Sequence, residues 1–262
     1  MVKREMKSPD RTGPSVHSAV VAVAVALALS GCGGPTPAQK ASGEPFDPYE
    51  STNRAMHSFN LAIDKTLFGP ASKGYSSIVP EPIMDSVGYV ANNLSMPSSV
   101  VNSLLQGKPG QAGTGLLRFV INTTIGFAGL ADPATEFGIP QAETDFGETL
   151  AVWGVGEGAY LVLPFIGPST ARDSVGVFAD IFTNPITFSP TRPLQNSGVI
   201  ANIFSSMGSR GRYSGTVDSV LYDSADSYAQ TRMIYLQNRR FELGQEDASA
   251  DIDPFELDTE GF

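Results

Sequence analysis

One cysteine, two histidines and one tryptophan in 262 residues leave little material for several kinds of chemistry. A lone thiol cannot close an internal disulfide. Zinc sites usually draw on several His or Cys ligands, and His17 lies in a segment that reads as an export signal, leaving only His57. No serine stands at Gly-x-Ser-x-Gly spacing, so the nucleophile elbow of serine hydrolases is absent, and no EF-hand loop is present. Beyond residue 31 no apolar run reaches the roughly 18 residues of a simple transmembrane helix, because Pro and Gly break every candidate. Basic charge is scarce as well. Taking the four basic and two acidic residues of positions 1–31 from totals of 17 and 27 leaves 13 Lys and Arg against 25 Asp and Glu. That balance argues against nucleic acid, whose phosphates demand basic surface, and against attraction to anionic headgroups.

What is present begins with Lys3, Arg4, Lys7 and Arg11, followed by an apolar stretch from Ala19 to Leu29 of signal-peptide length. The run Leu29-Ser30-Gly31-Cys32 looks like the lipobox of bacterial lipoproteins, in which the thiol takes a diacylglycerol, the chain is cut before the cysteine and the new amine is acylated. An ordinary signal peptide with an incidental cysteine is the alternative. One acyl chain holds a protein on a membrane only marginally and two or more hold it stably, so a mature chain starting at Cys32 is durably anchored. Gly33, rather than Asp, resembles the outer-membrane sorting pattern. The expected layout is a signal peptide over 1–31, a lipidated tether over 32–46, one domain over 47–241 and an acidic disordered tail over 242–262. That last stretch carries eight acidic residues and no basic one.

Periodicity predicts a mainly α domain. Asp47-Pro48-Tyr49-Glu50 places Asp at an N-cap and Pro at the first helical position, and Tyr49, Thr52, Met56, Phe59, Ile63 and Leu67 recur at helical spacing until Gly69-Pro70 ends the segment. Further helices are expected over Pro82–Leu94, Pro97–Gln106, Pro109–Thr124, Phe146–Trp153, Ser169–Phe182 and Ser227–Glu242, the fourth opening on a capping box at Asp145 and Glu148. Strand signals are few: Tyr160 to Leu163 is short and is stopped by Pro164. Charge spacing is the second clue. Lys108 is the only charged side chain from Ser86 to Leu117, and Glu157 the only one from Thr149 to Ala171. A water-facing helix normally keeps a charged face opposite its apolar stripe. Such stretches fit helices lying shallowly in one leaflet, or a large soluble core whose outer faces use Ser, Asn, Gln and Thr.

Several blocks then combine: Asp47-Pro48-Tyr49-Glu50, Asn53-Arg54, Phe59-Asn60, Arg118-Phe119, Asn122-Thr123-Thr124, Phe146-Gly147-Glu148-Thr149-Leu150, Trp153 to Gly158, Gly167-Pro168-Ser169-Thr170 and Arg172-Asp173. In order and spacing they resemble the VacJ/MlaA lipoproteins over nearly all of Asp47 to Arg240. His57 departs from the family's usual aromatic, and Ala159 interrupts its usual Gly-Pro-Tyr. The resemblance implies a ring-like helical domain lying in the inner leaflet of the outer membrane, on its periplasmic face, with a polar channel and a trimeric porin as partner. It implies that phospholipid misplaced in the outer leaflet passes down the channel to a soluble periplasmic lipid carrier of an ABC-transporter pathway, which maintains lipid asymmetry. No catalytic residue, metal or cofactor is implied. A structural porin-associated lipoprotein, or a lipoprotein phospholipase, is the rival reading.

Five residues are candidates for the channel or its loop. Gly154, Gly156 and Gly158 permit backbone angles closed to other residues, and the family places this stretch at the channel mouth; simple turn chemistry is the alternative. The same stretch matches a dinucleotide loop only weakly, with neither a preceding strand nor a following helix. Asn60 either bonds a neighbouring backbone or lines the polar passage, beside a Phe59 expected in the core. Arg172 forms a structural salt bridge with Asp173 or meets a phosphate at the helix start.

Overall fold

The computed structural model describes residues 45–141 and 143–245. Cys32, the signal peptide, nearly all of the tether and the acidic tail past residue 245 lie outside the described residues. Ten α-helices are described: α1 (Glu50–Ile63), α2 (Gly69–Ile78), α3 (Glu81–Leu105), α4 (Pro109–Thr124), α5 (Pro133–Glu136), α6 (Phe146–Val152), α7 (Ala171–Thr183), α8 (Arg192–Arg212), α9 (Ser214–Leu221) and α10 (Ser227–Glu242). A single antiparallel hairpin, β1 (Tyr160–Leu163) and β2 (Gly167–Thr170), sits between α6 and α7 with Tyr160 opposite Thr170 and Leu163 opposite Gly167. The mainly α fold expected from the sequence is the fold observed. Among the described residues no helix is long and apolar enough to cross a membrane.

Local chemistry explains most boundaries. Asp145 Oδ1 accepts the Glu148 amide at 2.8 Å and opens α6, and Thr170 Oγ1 accepts the Asp173 amide at 3.1 Å and opens α7. Four expectations need correction. Asp47 does not cap α1; Tyr49 holds that position without a side-chain bond, while the Asp47 carboxylate accepts from Asn53 Nδ2 at 2.8 Å, from Arg232 at 2.6 Å and from the Tyr228 hydroxyl. A guanidinium and a phenol across the fold hold this carboxylate in preference to a local amide. Gly69-Pro70 does not end the first helix, which runs through a π-helical turn at Asp64–Phe68 into α2; Pro70 stands among the first amides of α2, where a missing N–H costs little. Pro97 does not divide α3, and Asn184 Nδ2 donates to the neighbouring Leu94 carbonyl at 3.2 Å. Ser169 and Thr170 belong to β2, so α7 begins only at Ala171. Helices α8 and α9 were not expected.

Helix α3 is the axis of the molecule: α4, α6, α7 and α8 all pack on it, and α2 packs on α8. The compact apolar cluster lies elsewhere. Tyr160, Val162, Tyr228 and Leu236 are its buried members, with Met56 and Tyr235 against them, so it joins the hairpin, α1 and α10. Tyr160 meets Tyr228 edge-on at 6.0 Å between ring centroids. The Tyr160 amide donates to Phe46 O at 2.9 Å and ties the start of the domain to the hairpin.

Candidate functional site

Burial in this molecule runs against the usual rule. Among the described residues 18 buried side chains are polar or charged and 11 are hydrophobic, whereas 33 large hydrophobic side chains are exposed. Soluble domains expose single apolar residues freely, but large buried polar populations are uncommon. The exposed set is spread over the helices: Leu116, Leu117 and Val120 on α4, Val177, Ile181 and Phe182 on α7, Val199, Ile200 and Ile203 on α8. Phe127 is 77% exposed at the end of a turn in which Phe127, Ala128 and Gly129 all have left-handed backbone.

A hydrogen-bonded seam fills the space where α3, α6 and α7 meet. Asn102 donates to Asp180 Oδ1 at 2.9 Å, Thr149 Oγ1 donates to Asn102 Oδ1 at 3.1 Å, and Gln106 donates to Thr149 and Thr144. Ser98 and Thr183 join at the same Asp180 oxygen. Unpaired buried polar groups cost free energy, and the seam's members satisfy one another except at Gln106 Oε1, which is buried without a hydrogen-bond partner.

The glycine stretch and hairpin form a second unit. Gly154 and Gly158 take φ of 87° and 73°, the left-handed region that favours glycine, and a Cβ at Gly158 stands 2.9 Å from Ala171 Cβ. Gly156 has neither constraint. Between them Glu157 is held by Arg240, with two contacts of 3.1 Å, so this segment is tied to α10. Asn60 clamps the hairpin tip: its amide nitrogen donates to Leu163 O and its oxygen accepts the Phe165 amide, both at 2.9 Å. Phe165 has φ of 64° and is 76% exposed, with Phe59 edge-on to it at 5.5 Å. Phe59 is therefore an exposed partner of the tip and not the core residue expected.

Arg172 is buried beside its neighbour, with Nε 3.2 Å from Asp173 Oδ1. Asp173 also accepts from Arg239 at 3.2 Å, Tyr235 at 2.9 Å and Thr170 at 2.8 Å, so the salt bridge foreseen from sequence is one arm of a larger knot. Burial opposes the charge on Asp173, but the Arg239 and Arg172 guanidiniums outweigh it and hold the carboxyl below the usual range. The structure thus brings Gly158 and Arg172 to one end of the hairpin and Asn60 to the other. Gly154 and Gly156 lie on the approach from α6.

Sequence reasoning missed a further ionic group where the π turn meets α8 and α9. Arg210 grips Asp64 with two contacts, at 3.1 and 2.8 Å, and reaches Asp218 at 2.6 Å, while Lys73 pairs with Asp218 and Tyr222 with Asp64. Arg210 and Arg212 in the last turn were the available signal, since basic residues favour helix C-termini. His57 is buried, with Nε2 3.0 Å from Ser227 Oγ, and burial lowers its pKa. Among the described residues no three His, Cys, Asp or Glu side chains are placed to hold a metal ion.

A model of the family described as "MlaA lipoprotein" matches residues 45–242. The chain is 35% identical over 197 residues to an uncharacterized protein of Rickettsia bellii, covering 75% of this chain and 76% of that one. It is 38% identical over 165 residues to the intermembrane phospholipid transport system lipoprotein MlaA of Haemophilus influenzae, covering 62% and 65%. To the protein of the same name in Escherichia coli it is 33% identical over 199 residues, covering 74% and 77%. A solved structure, from work on the structural basis for maintenance of bacterial outer membrane lipid asymmetry, superposes with a TM-score of 0.64 at 30% identity, covering 75% of this chain and 98% of that one. With the match spanning every described helix from α1 to α10, the chain belongs to the MlaA lipoprotein family.

Proposed function

We propose that this protein is an outer-membrane lipoprotein, anchored through acylated Cys32 on the periplasmic face, that removes mislocalised phospholipids from the outer leaflet. They pass through a polar channel in a ring-like helical domain to a soluble periplasmic carrier, and a trimeric porin holds the domain in place. The observation that carries this reading is the burial pattern: a largely polar interior behind helices that expose many large apolar side chains. Hydrocarbon, unlike water, exacts no penalty for contact with Leu116, Ile181 or Ile203, so a helix without a charged face is at ease in acyl chains. A headgroup crossing hydrocarbon unaided loses its hydration at a cost of several kcal/mol. A polar lining of the proposed channel lowers that barrier without any chemical step.

The glycine stretch supplies the movable part. Gly154 and Gly156 have no atom within 4 Å of where a Cβ stands, so the segment has room to shift, while Glu157 on Arg240 limits the excursion. Asn60 sets the hairpin tip and Arg172 locks the hairpin base to α7, so both act by positioning. Names of the relatives support the phospholipid, and the structural neighbour supports the membrane.

The deciding experiment measures phospholipid in the outer leaflet with a surface-acting lipase probe, in cells with and without the gene. A rise on deletion, restored by the intact gene and not by a Cys32→Ala copy, is expected. Unchanged surface phospholipid, with the protein confirmed in the outer membrane, overturns the reading. Within the restored strain, Gly156→Ala is the mild probe of the loop, because it adds no backbone strain; slowed clearance with unchanged fold is expected.

A further inference from the structure

Between α3 and α8 lies a cleft of about 190 Å³ that none of the foregoing uses. Its polar wall is made by Asp85, Tyr89 and Asn92 from α3 and by Ser205, Ser209 and Arg212 from α8. Two glycines make the room. A Cβ on Gly88 meets only Ser205 Oγ, at 3.7 Å, and one on Gly208 meets Met84 and Tyr75 at the same distance. Neither glycine is required by backbone geometry, since neither has a left-handed φ, so their effect is to leave space.

Two opposite charges pair directly on the wall of this space, with a second carboxylate just outside its lining. Arg212 Nη2 lies 2.6 Å from Asp85 Oδ1, and Glu81 Oε1 is 4.0 Å from Arg212 Nε. Arg212 has five donor hydrogens and Asp85 takes one of them, which leaves most of the guanidinium fork for another acceptor. Arg212 and Asp85 are both partly exposed, so an incoming ligand reaches them without unfolding the helix pair.

We infer that this cleft binds the zwitterionic headgroup of a phosphoethanolamine-type phospholipid, the phosphate on Arg212 with the Ser205 and Ser209 hydroxyls and the ammonium on Asp85 and Glu81. Three features favour that ligand. The volume is well below the roughly 300 to 1,000 Å³ of a site that engulfs a whole drug-sized ligand, so it holds a headgroup and leaves acyl chains outside. A cation and an anion held within hydrogen-bond distance of each other match a ligand whose own opposite charges are separated by a short linker. Phosphatidylglycerol offers Arg212 the same phosphate but only neutral hydroxyl donors to Asp85 and Glu81, and their negative field opposes its net charge; discrimination against the anionic headgroup is thereby built in. Tyr89, at the lip, adds an aromatic face for the ammonium.

This inference rests on the phospholipid-handling reading and names its headgroup class. The test uses the full mature lipoprotein in detergent with equal amounts of phosphatidylethanolamine and phosphatidylglycerol of matched chains, the retained lipid being counted by native mass spectrometry. A preference for phosphatidylethanolamine of roughly tenfold is expected, the scale of one charge-assisted hydrogen bond. Replacing Asp85→Asn with Glu81→Gln should bring the preference to within about twofold while binding persists, and Arg212→Gln should weaken both lipids. Gly88→Leu, which fills the cleft on an unstrained helix, should reduce retention of both. Competition by glycerophosphoethanolamine but not by inorganic phosphate distinguishes a headgroup site from a bare phosphate site. Equal retention of both lipids by the wild-type protein overturns the inference, as do an unaltered preference in the double variant, full binding by Gly88→Leu and equal competition by phosphate. Each of those results leaves the surface-lipid phenotype of the deletion standing, whereas an absent phenotype removes the transport reading whatever the cleft binds.

Discussion

The pole built from α1, the hairpin and α10 and the body built around α3 solve burial in opposite ways. At the pole, Tyr160, Val162, Tyr228 and Leu236 form an apolar cluster, and ion pairs such as Arg232 with Asp47 and Arg240 with Glu157 lie around it. In the body, Asn102, Thr149, Gln106 and Asp180 fill the interior and the aliphatic residues of α4, α7 and α8 face outward. The pole thus has an apolar centre, although Phe165, Ile166, Met233 and Phe241 are exposed on it as well. The body has no comparable apolar centre, so what the two regions differ in is what holds the interior together: ring and aliphatic packing at the pole, hydrogen bonds in the body.

Breaking the pole should cost most. Tyr160 is 1% exposed, and Tyr160→Ala deletes its ring from the cluster, with an expected loss of about 3–5 kcal/mol in denaturant unfolding, as for other buried aromatics. A loss below 1 kcal/mol would show that the pole is not an independent core. In the body, Asn102→Ala takes one donor from Asp180 and one acceptor from Thr149, both of which keep other partners, and should cost about 1 kcal/mol. Asn102→Leu should cost no less, because the seam is held by partners and not by volume; stabilisation by Leu would place the body with ordinary cores.

Acid should loosen both regions at once. Asp64, Asp132 and Asp173 are all held below the usual carboxylate range: burial opposes each charge, and is outweighed by Arg210 and Tyr222 at Asp64, by Thr135, Asn122 and Arg118 at Asp132, and by Arg239 and Arg172 at Asp173. Because the folded pKa lies below the unfolded one, their stabilisation is complete above about pH 4 and disappears as pH falls below it. Asp226, drawn down to about 2 chiefly by its bond to Arg54, follows the same sign, but its exposure to solvent makes its share small. His57, lowered by burial, adds a modest loss that begins near its ordinary value of about 6.5, since the unfolded imidazole takes the proton first. Thermal melts should therefore decline slightly from pH 7 to 5 and steeply from about 4 to 2. Smallest in stability is Leu117→Glu on the outward face of α4, expected to shift unfolding in detergent by under about 0.5 kcal/mol. Its effect belongs to the membrane: in a Cys32→Ala background, association with phospholipid vesicles should fall.

The charge-poor body was already visible in the stretch Ser86–Leu117, and the Asp145 and Glu148 box opened a helix as written. Other features were invisible for identifiable reasons. Helix α8 carries Gly198, Gly208 and Gly211 and several serines, a composition with little intrinsic preference for helix, and it forms because α2 and α3 pack on it. Gly211 shows how closely, since a Cβ there stands 2.4 Å from Ser72 O. Gly69-Pro70 reads as a break because local rules do not foresee a π turn, and Pro97 reads as one because a proline removes a helical hydrogen bond, yet α3 runs through it.

By itself the sequence determined the helical class, the charge-poor faces and the local caps, because each depends on residues within a few positions of one another. The family also follows from it, since that likeness is carried by the order of short blocks. Only the tertiary structure decided that Asn60 clamps a hairpin tip more than 100 residues on, that Arg210 joins the π turn to α9, and that Asp85 on α3 pairs with Arg212 on α8. Hydrogen bonds and ion pairs act over a few ångströms in space, and sequence separation places no limit on which residues the packing of helices brings that close.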